Sequence, residues 1–336
     1  MILITGGLGY IGSHTVVELI AQGKEVLIVD DLSNANLQVL EGLEKITGQS
    51  ISFVQLDVKE ASPLNELIKT HPQLEGVIHF AAAKAVGESA LNPLKYYQNN
   101  IGGLLNLLEC LPVDIPFIFS SSCTVYGDAD ILPIVENSPI ERPKSPYGNT
   151  KKIGEEILEE YIHAQPNFKG ISLRYFNPIG AHPSVYIGEN PKGKPENLVP
   201  YITQSAVGKI PPLIVFGDDY PTADGTCVRD YIHVVDLARA HVAAFNRLEE
   251  NKSKTAYEVF NVGTGQGHSV LEVITSFERV SGKTLNYAIG PRREGDIVAA
   301  YANVDKALQQ LNWSPKYSLD EAVHSAWQWE LNNSSR

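Results

Sequence analysis

A glycine-rich turn, Gly6-Gly-Leu-Gly-Tyr-Ile-Gly12, stands between an apolar run and a helical one, and it constrains the fold of everything after it. Met1-Ile-Leu-Ile-Thr5 reads as a buried strand, Ser13 to Ala21 as a helix, and Gly23 as that helix's end. Glu25-Val-Leu-Ile-Val29 is a second apolar strand, closed by Asp30 and Asp31. Gly7, Gly9 and Gly12 fit G-x-G-x-x-G, while Gly6, Gly9 and Gly12 fit G-x-x-G-x-x-G. Without a side chain, the backbone can come close to a pyrophosphate, whose charge then faces a helix N-terminus. An acid closing the second strand suits the hydroxyls of an adenosine ribose and opposes a 2′-phosphate, so the expected cofactor is NAD rather than NADP. A glycine turn that binds nothing is the plainer reading; strand, helix and terminal acid standing together in register argue against it.

The alternation of strand and helix continues. Ile51-Ser-Phe-Val54 reads as a strand with Asp57 just past it, and Val77-Ile-His-Phe80 as another, opening into Ala81 to Glu88. One helix is expected over roughly 93–111, then strands at Phe117-Ile-Phe-Ser120 and Ile171 to Phe176. Such an order predicts an α/β fold with a doubly wound parallel sheet of the Rossmann kind. Ligands then bind at the carboxyl ends of the strands, where the segments at Ala81, Ser120 and Asn177 lie. After Phe176 the character changes. Residues 177–200 and 217–225 read as long Pro- and Gly-bearing loops, and short strands and helices follow without a second glycine fingerprint. We therefore expect a nucleotide-binding domain over 1–177 and a smaller mixed α/β domain over 178–336, with some segments returning to the first. Ser318 and Glu321 form a capping box for a helix carrying Trp327 and Trp329, whose indoles read as packing.

The net charge of −12 argues against sequence-independent nucleic-acid binding, and no basic run offsets it. No apolar run reaches transmembrane length, so no membrane partner is expected. The first strand begins at residue 1 or 2, which leaves no room for a targeting peptide. Cys110, Cys123 and Cys227 show neither metal nor redox spacing, so no metal is expected and a cytoplasmic location is the simplest.

Tyr147 and Lys151 stand four residues apart in Ser145-Pro-Tyr-Gly-Asn-Thr-Lys151. Ser145 suits an N-cap and Pro146 the first helical position, so a helix starts here and presents both side chains on one face. An ammonium near a phenol favours the phenolate, which predicts a lowered Tyr147 pKa and a base able to take a proton from a sugar hydroxyl. Alone, the spacing also fits an ordinary helix surface.

Seven segments together carry a family resemblance: Thr5 to Thr15, His79 to Ser89, Ser120-Ser-Ser-Cys-Thr-Val-Tyr-Gly127, Tyr147 to Lys151, Arg174-Tyr-Phe-Asn-Pro178, Val228-Arg-Asp-Tyr-Ile-His-Val234 and Arg292-Arg-Glu-Gly-Asp296. The chain resembles the extended short-chain dehydrogenase/reductases, most closely the UDP-glucose (UDP-galactose) 4-epimerase family, from Thr5 to about Trp329. The first and fourth segments are shared across the superfamily; the second, sixth and seventh are more specific to the epimerases. The resemblance implies a homodimeric isomerase of carbohydrate and galactose metabolism, with tightly bound NAD and a UDP-sugar substrate. Catalysis would fall to Ser122, Tyr147 and Lys151. The cofactor would be held by Gly6, Gly9, Tyr10, Ile11, Gly12, Asp30, Asp31, Asn34, Asp57, Val58, Phe80, Ala81, Lys84, Asn99 and Tyr175, together with Tyr147 and Lys151. The UDP-sugar would meet Lys84, Ser122, Tyr147, Asn177, Asn197, Leu198, Phe216, Arg229, Arg293, Asp296 and Ala300. Paired arginines suit a diphosphate, because each offers a planar fork of donors.

Other readings stay open. Ser122 could be a turn residue, and Arg229 and Arg293 surface charges. His14, His79 and His233 read as hydrogen-bonded structural residues. Cys123 stands where the family usually has alanine, and reads as a small apolar residue. A sugar-nucleotide dehydratase would need an extra acid and base after the serine, where this chain has Cys123 and Thr124. A reductase, or a non-catalytic NAD-sensing protein on the same fold, is a further alternative. Ala300 occupies a position that is tyrosine in relatives restricted to glucose and galactose and small in those accepting N-acetylated sugars. The expected range therefore includes UDP-GlcNAc and UDP-GalNAc.

Overall fold

The computed structural model describes residues 1–293 and 295–334; Glu294, within the last family segment, lies outside the described residues. The first half runs β1 (Ile2–Thr5), α1 (Tyr10–Ala21), β2 (Val26–Asp30), α2 (Leu37–Thr47), β3 (Ser52–Gln55), α3 (Ala61–Thr70), β4 (Gly76–His79), α4 (Val86–Leu91), α5 (Pro93–Tyr96), α6 (Gly102–Cys110), β5 (Pro116–Ser122), α7 (Pro146–Ala164) and β6 (Lys169–Tyr175). The second half runs β7 (Asn177–Ile179), α8 (Leu198–Ala206), β8 (Leu213–Phe216), β9 (Val228–Arg229), β10 (Tyr231–His233), α9 (Val234–Glu249), β11 (Tyr257–Val262), β12 (His268–Ser269), α10 (Val270–Ser281), β13 (Tyr287–Gly290), β14 (Ala299–Ala300), α11 (Asp305–Gln310) and α12 (Leu319–Ser334).

Seven strands pair in the order β11-β6-β5-β4-β1-β2-β3, every pair parallel. Alternation along β1 explains the two layers of core. Ile2 and Ile4 face one side with Ile28 and Ile78, under Val16 and Leu19 of α1 and Leu237 and Phe245 of α9. Leu3 faces the other side with Leu27, Val77 and Phe117, under Leu104 of α6 and Leu158 of α7. A parallel sheet covered on both faces needs apolar residues at nearly every position, which is what β1 and β2 supply. A third cluster, including Val199, Leu213, Phe277 and Trp327, lies in the second half, beside three small sheets.

One finding names a strand that the sequence reading left unassigned, and one departs from that reading. The seventh strand, β11, comes from the second half and pairs with β6 over six residues, Tyr257↔Gly170 to Val262↔Tyr175. Nothing local in Tyr257-Glu-Val-Phe-Asn-Val262 says which sheet it joins; pairing is decided by the whole crossover. The single helix expected over 93–111 is broken by a π-helical turn at Tyr97–Ile101 between α5 and α6. Such a turn inserts one residue into the ladder and redirects the side chains around it. The expected capping box is present: Glu321 N–H donates to Ser318 Oγ at 3.3 Å, and Ser318 N–H to Glu321 Oε2 at 2.8 Å.

Phe260, on β11, is fully buried. Phe260→Ala should cost about 3–5 kcal/mol of folding stability, read as a lower denaturant midpoint. A loss below about 1 kcal/mol would mean that β11 does not belong to the cooperative core.

Candidate active site

Strand order reverses between β1 and β4, and at the carboxyl ends of these strands lies a cavity of about 310 Å³. Ligands bind at such a reversal in open α/β sheets. One wall is the glycine turn, with Gly6, Gly9, Tyr10, Ile11 and Gly12. Asp30, Asp31 and Asn34 follow from the end of β2, Asp57 and Val58 from β3, and Phe80, Ala81 and Lys84 from β4. Asn99, on the π-helical turn, Ser122, Tyr147, Lys151, Tyr175, Asn177 and Asn197 complete the predicted residues in this wall.

The turn is shaped by absent side chains. Gly6 has φ +70°, and a Cβ there would lie 2.7 Å from the Ala81 nitrogen. A Cβ on Gly12 would lie 2.4 Å from the Gly6 carbonyl oxygen. Both contacts exclude any larger residue, so the turn and the segment after β4 close up into a cradle. Gly9 is the N-cap of α1 and offers no side-chain acceptor, so the first amides of the helix keep their donors for a ligand. This cradle fits a nucleotide pyrophosphate. Asp30 accepts from the amides of Leu8 at 3.1 Å and Leu32 at 2.9 Å, while burial pushes its carboxyl pKa up.

The opposite wall holds the trio Ser122, Tyr147 and Lys151. Ser145 caps α7 by accepting from Gly148 N–H at 3.1 Å, and Pro146 opens the helix as expected. Tyr147 and Lys151 are both buried. Lys151 Nζ donates to the Ser120 carbonyl at 2.6 Å and lies 6.0 Å from the centre of the Tyr147 ring. The predicted lowering of the Tyr147 pKa is therefore corrected: the phenol is raised. Burial pushes the phenol far up, nearby Tyr175 adds to this, and a hydrogen bond from Ser122 works against it. Burial likewise draws Lys151 down to about 7, opposed by Glu155. Desolvation outweighs the pairwise attraction here because the ammonium turns to a backbone carbonyl instead of the phenol.

Six predicted substrate residues lie outside this cavity wall: Leu198, Phe216, Arg229, Arg293, Asp296 and Ala300. Four of them gather in the second half. Arg293 Nη2 donates to Asp296 Oδ1 at 2.8 Å, Arg229 Nη2 lies 4.0 Å from the same oxygen, and the Arg293 guanidinium sits 5.5 Å from the centre of the Phe216 ring. Leu198 opens α8 directly after Asn197. Ala300 is buried in a cluster with Val125, Tyr126 and Phe176, against which Cys123 packs. Phe176 and Cys123 both line the cavity, so Ala300 stands one layer behind its wall.

Sequence reasoning missed two residues. Glu189 lines the cavity and accepts on Oε1 from Lys84 Nζ at 3.1 Å and Asn197 Nδ2 at 2.8 Å, joining a residue beside β4 to the cap of α8. Its one sequence signal is an acid between Gly188 and Pro191 in a long loop. Asn100, on the π-helical turn, exchanges hydrogen bonds with the Ala83 backbone at 2.8 and 3.0 Å and donates to Thr150 Oγ1 at 2.9 Å. The Trp329 indole donates to the Glu189 carbonyl at 3.0 Å, and Trp327 packs edge-on against Phe277. The histidines are structural. His79 bonds Thr5, His14 bonds the Tyr10 carbonyl and His233 caps α9, and burial holds them down to about 3, 3 and 4. Burial pushes the Cys123 thiol up to about 12. Among the described residues, no group of three or more His, Cys, Asp or Glu could hold a metal ion.

Comparison with known proteins gives one consistent answer. The NAD dependent epimerase/dehydratase family model matches residues 2–263. A UDP-glucose 4-epimerase from Erwinia amylovora is 48% identical over 334 residues, covering 99% of this chain and 98% of that protein. The crystal structure of a UDP-glucose-4-epimerase from Stenotrophomonas maltophila, with bound NAD and formylated UDP-arabinopyranose, is 44% identical with a TM-score of 0.95, covering 99% and 98%. The UDP-Glc/GlcNAc 4-epimerase of Campylobacter jejuni is 38% identical with a TM-score of 0.84, covering 98% and 99%. The chain belongs to the NAD-dependent epimerase/dehydratase family.

Proposed function

We propose that this chain is a UDP-sugar 4-epimerase that interconverts UDP-glucose and UDP-galactose with a resident NAD. The observation that carries the reading is the meeting of Ser122, Tyr147 and Lys151 on one wall of a cavity whose other wall is the glycine cradle and Asp30. NAD, when bound, would supply a reversible hydride acceptor for sugar C4 and positive charge beside a phenol that burial alone keeps neutral. Tyr147 takes the O4 proton and gives it back, and Ser122 hydrogen-bonds O4. Lys151 holds the nicotinamide ribose. Arg229 and Arg293 hold the diphosphate, so that the 4-keto sugar can turn about this tether. Cys123, with its thiol un-ionised, and Thr124, whose hydroxyl donates to Ser122 Oγ at 3.0 Å, suit this cycle better than a dehydration.

The division of labour follows the chain. Residues 1–177, joined by α9 and β11, bind the cofactor, and the remainder of 178–336 binds the nucleotide sugar. Ala300 supports a wider range, because the residue behind Cys123 and Phe176 is small and adds no bulk to that side of the cavity wall. We extend the substrates to UDP-GlcNAc and UDP-GalNAc on that ground. A homodimer is supported by an apolar face on α4 to α6, where Leu91 and Leu94 are 82% and 73% exposed and Leu105 is also exposed. Three free cysteines fit a reducing cytoplasm, and interconversion of UDP-glucose and UDP-galactose would place the enzyme in galactose metabolism. Among the described residues, no helix is long and apolar enough to cross a membrane.

Purified protein incubated with UDP-galactose and no added NAD should form UDP-glucose, and NAD should be released on denaturation. Failure without NAD, with turnover only when it is added in excess, would favour a net dehydrogenase. Tyr147→Phe should keep NAD and slow turnover by about 10²–10⁴-fold; wild-type turnover would overturn its role. Ala300→Tyr should suppress conversion of UDP-GalNAc and spare UDP-galactose, and an equal effect on both, or no wild-type conversion of UDP-GalNAc, would end the wider range. Leu94→Glu should halve the mass seen by sedimentation; a wild-type monomer would refute the dimer.

A further inference from the structure

Tyr147, Lys151 and Glu155 occupy successive turns on one face of α7. The first two touch the cavity and Glu155 does not. Its carboxylate is buried and clamped from two sides. Arg174 on β6 donates Nε to both oxygens, at 2.9 and 3.1 Å, and Nη2 to Oε2 at 2.6 Å. Ser121 on β5 donates its hydroxyl to Oε1. Arg174 spends its remaining nitrogen on the Tyr126 hydroxyl at 3.0 Å and the Glu136 carbonyl at 3.1 Å, and Tyr126 donates to Asn261 on β11 at 2.7 Å. The three serines ending β5 thus have separate tasks. The Ser120 carbonyl takes Lys151, Ser121 takes Glu155, and Ser122 faces the cavity beside Tyr147.

We propose that Glu155 is a positioning residue for the reaction: gripped by Arg174 and Ser121, it fixes α7 against the end of β5, so that Tyr147, Lys151 and Ser122 keep one relative arrangement. This rests on the epimerase reading above. A buried ion pair placed only for stability is the competing explanation, and such pairs are weak evidence of stabilisation. Location argues for the positioning role. Glu155 ties the helix that carries Tyr147 and Lys151 to β6 through Arg174, and to β5, the strand that carries Ser122, through the serine between the two whose atoms the site uses. Glu155 also supplies the opposite charge on the α7 face below Lys151, opposing the desolvation that draws its ammonium down to about 7. The other groups around Lys151 give it no anion. These are Tyr147 on its own helix, the Phe119 ring and Ser120 carbonyl on β5, and neutral His79 on β4, with Tyr175 of β6 reached through Ser120.

The test replaces the pair without leaving a buried charge, by Glu155→Gln together with Arg174→Gln. The variant should keep its NAD and hold KM for UDP-galactose within about twofold, while kcat falls about tenfold. Without Glu155 the Lys151 proton leaves at lower pH, so the alkaline limb of the kcat profile should move down by about one pH unit. Glu155→Asp alone, which retains the carboxylate charge on that face of α7, should leave that limb nearer to wild type. A variant that loses only thermal stability, with kcat and the pH profile unmoved, would show a purely structural pair and overturn the proposal. If the double variant does not fold, Ser121→Ala removes only the stitch to β5; it should lower kcat several-fold with KM unchanged, and an unaltered kcat would overturn the proposal equally. A wild-type protein that does not convert UDP-galactose would instead refute the epimerase reading.

Discussion

The site depends on one close crossing of backbone. Gly6, leaving β1 with positive φ, passes so near the segment after β4 that a methyl group would strike the Ala81 nitrogen, and Gly12 rests on the Gly6 carbonyl in the same way. β1 and β4 are neighbours in the sheet although two further βα units separate them in sequence. The crossing therefore needs the right-handed connections, the parallel pairing and both layers of core to be in place. In return it presents the uncapped start of α1, the carboxylate of Asp30 and the segment leading to Lys84 to one space. A side chain at either glycine would part these walls before it touched any ligand.

Electrostatics in that space follow from burial more than from pairing. Lys151, His79 and Tyr147 all have their charged forms disfavoured by desolvation. Burial of this kind favours the neutral form of each group. Charge brought by bound ligands would then act in a medium with little water to screen it, where each added charge moves a pKa further than at a surface. The same logic sets Glu155 apart. Its carboxylate lies close to the trio with Arg174 and Ser121 donating to both of its oxygens, which are charge-assisted contacts away from solvent.

Local chemistry was the part legible in the sequence. Ser145 and Pro146 announced the start of α7, and the period of four put Tyr147 and Lys151 on one face, as found. The glycine spacing, the acid after β2 and the apolar strands named the doubly wound sheet and the residues at its carboxyl edge. What escaped depends on partners far along the chain. β11 has the pattern of any half-apolar strand, and its place beside β6 is a matter of crossover and packing. The π-helical turn has no local signature in Tyr97-Gln-Asn-Asn-Ile101, and its meaning rests on contacts that Asn100 makes with Ala83 and Thr150. The sense of the Tyr147 pKa shift was misread for a related reason. Spacing reports which groups are near, whereas the shift was decided by how completely both are buried.

Glu189 shows how the two halves of the chain share the cavity. Its carboxylate meets Lys84, from the loop after β4, and Asn197, which starts α8, while its own backbone is held by the Trp329 indole from α12. A buried acid beside a pyrophosphate cradle is unfavourable unless a cation and an amide donor meet it, and here one of each does. The contact sets the distance between the cofactor wall and the first turn of α8, with no covalent continuity between them. Long loops lead into and out of this region because the connection crosses the site instead of packing under the sheet. Specificity in such an arrangement is therefore divided. Under the proposed function the cradle and trio would fix what chemistry occurs, and the residues beyond Glu189, from Leu198 to Ala300, would bear on which nucleotide sugar reaches it.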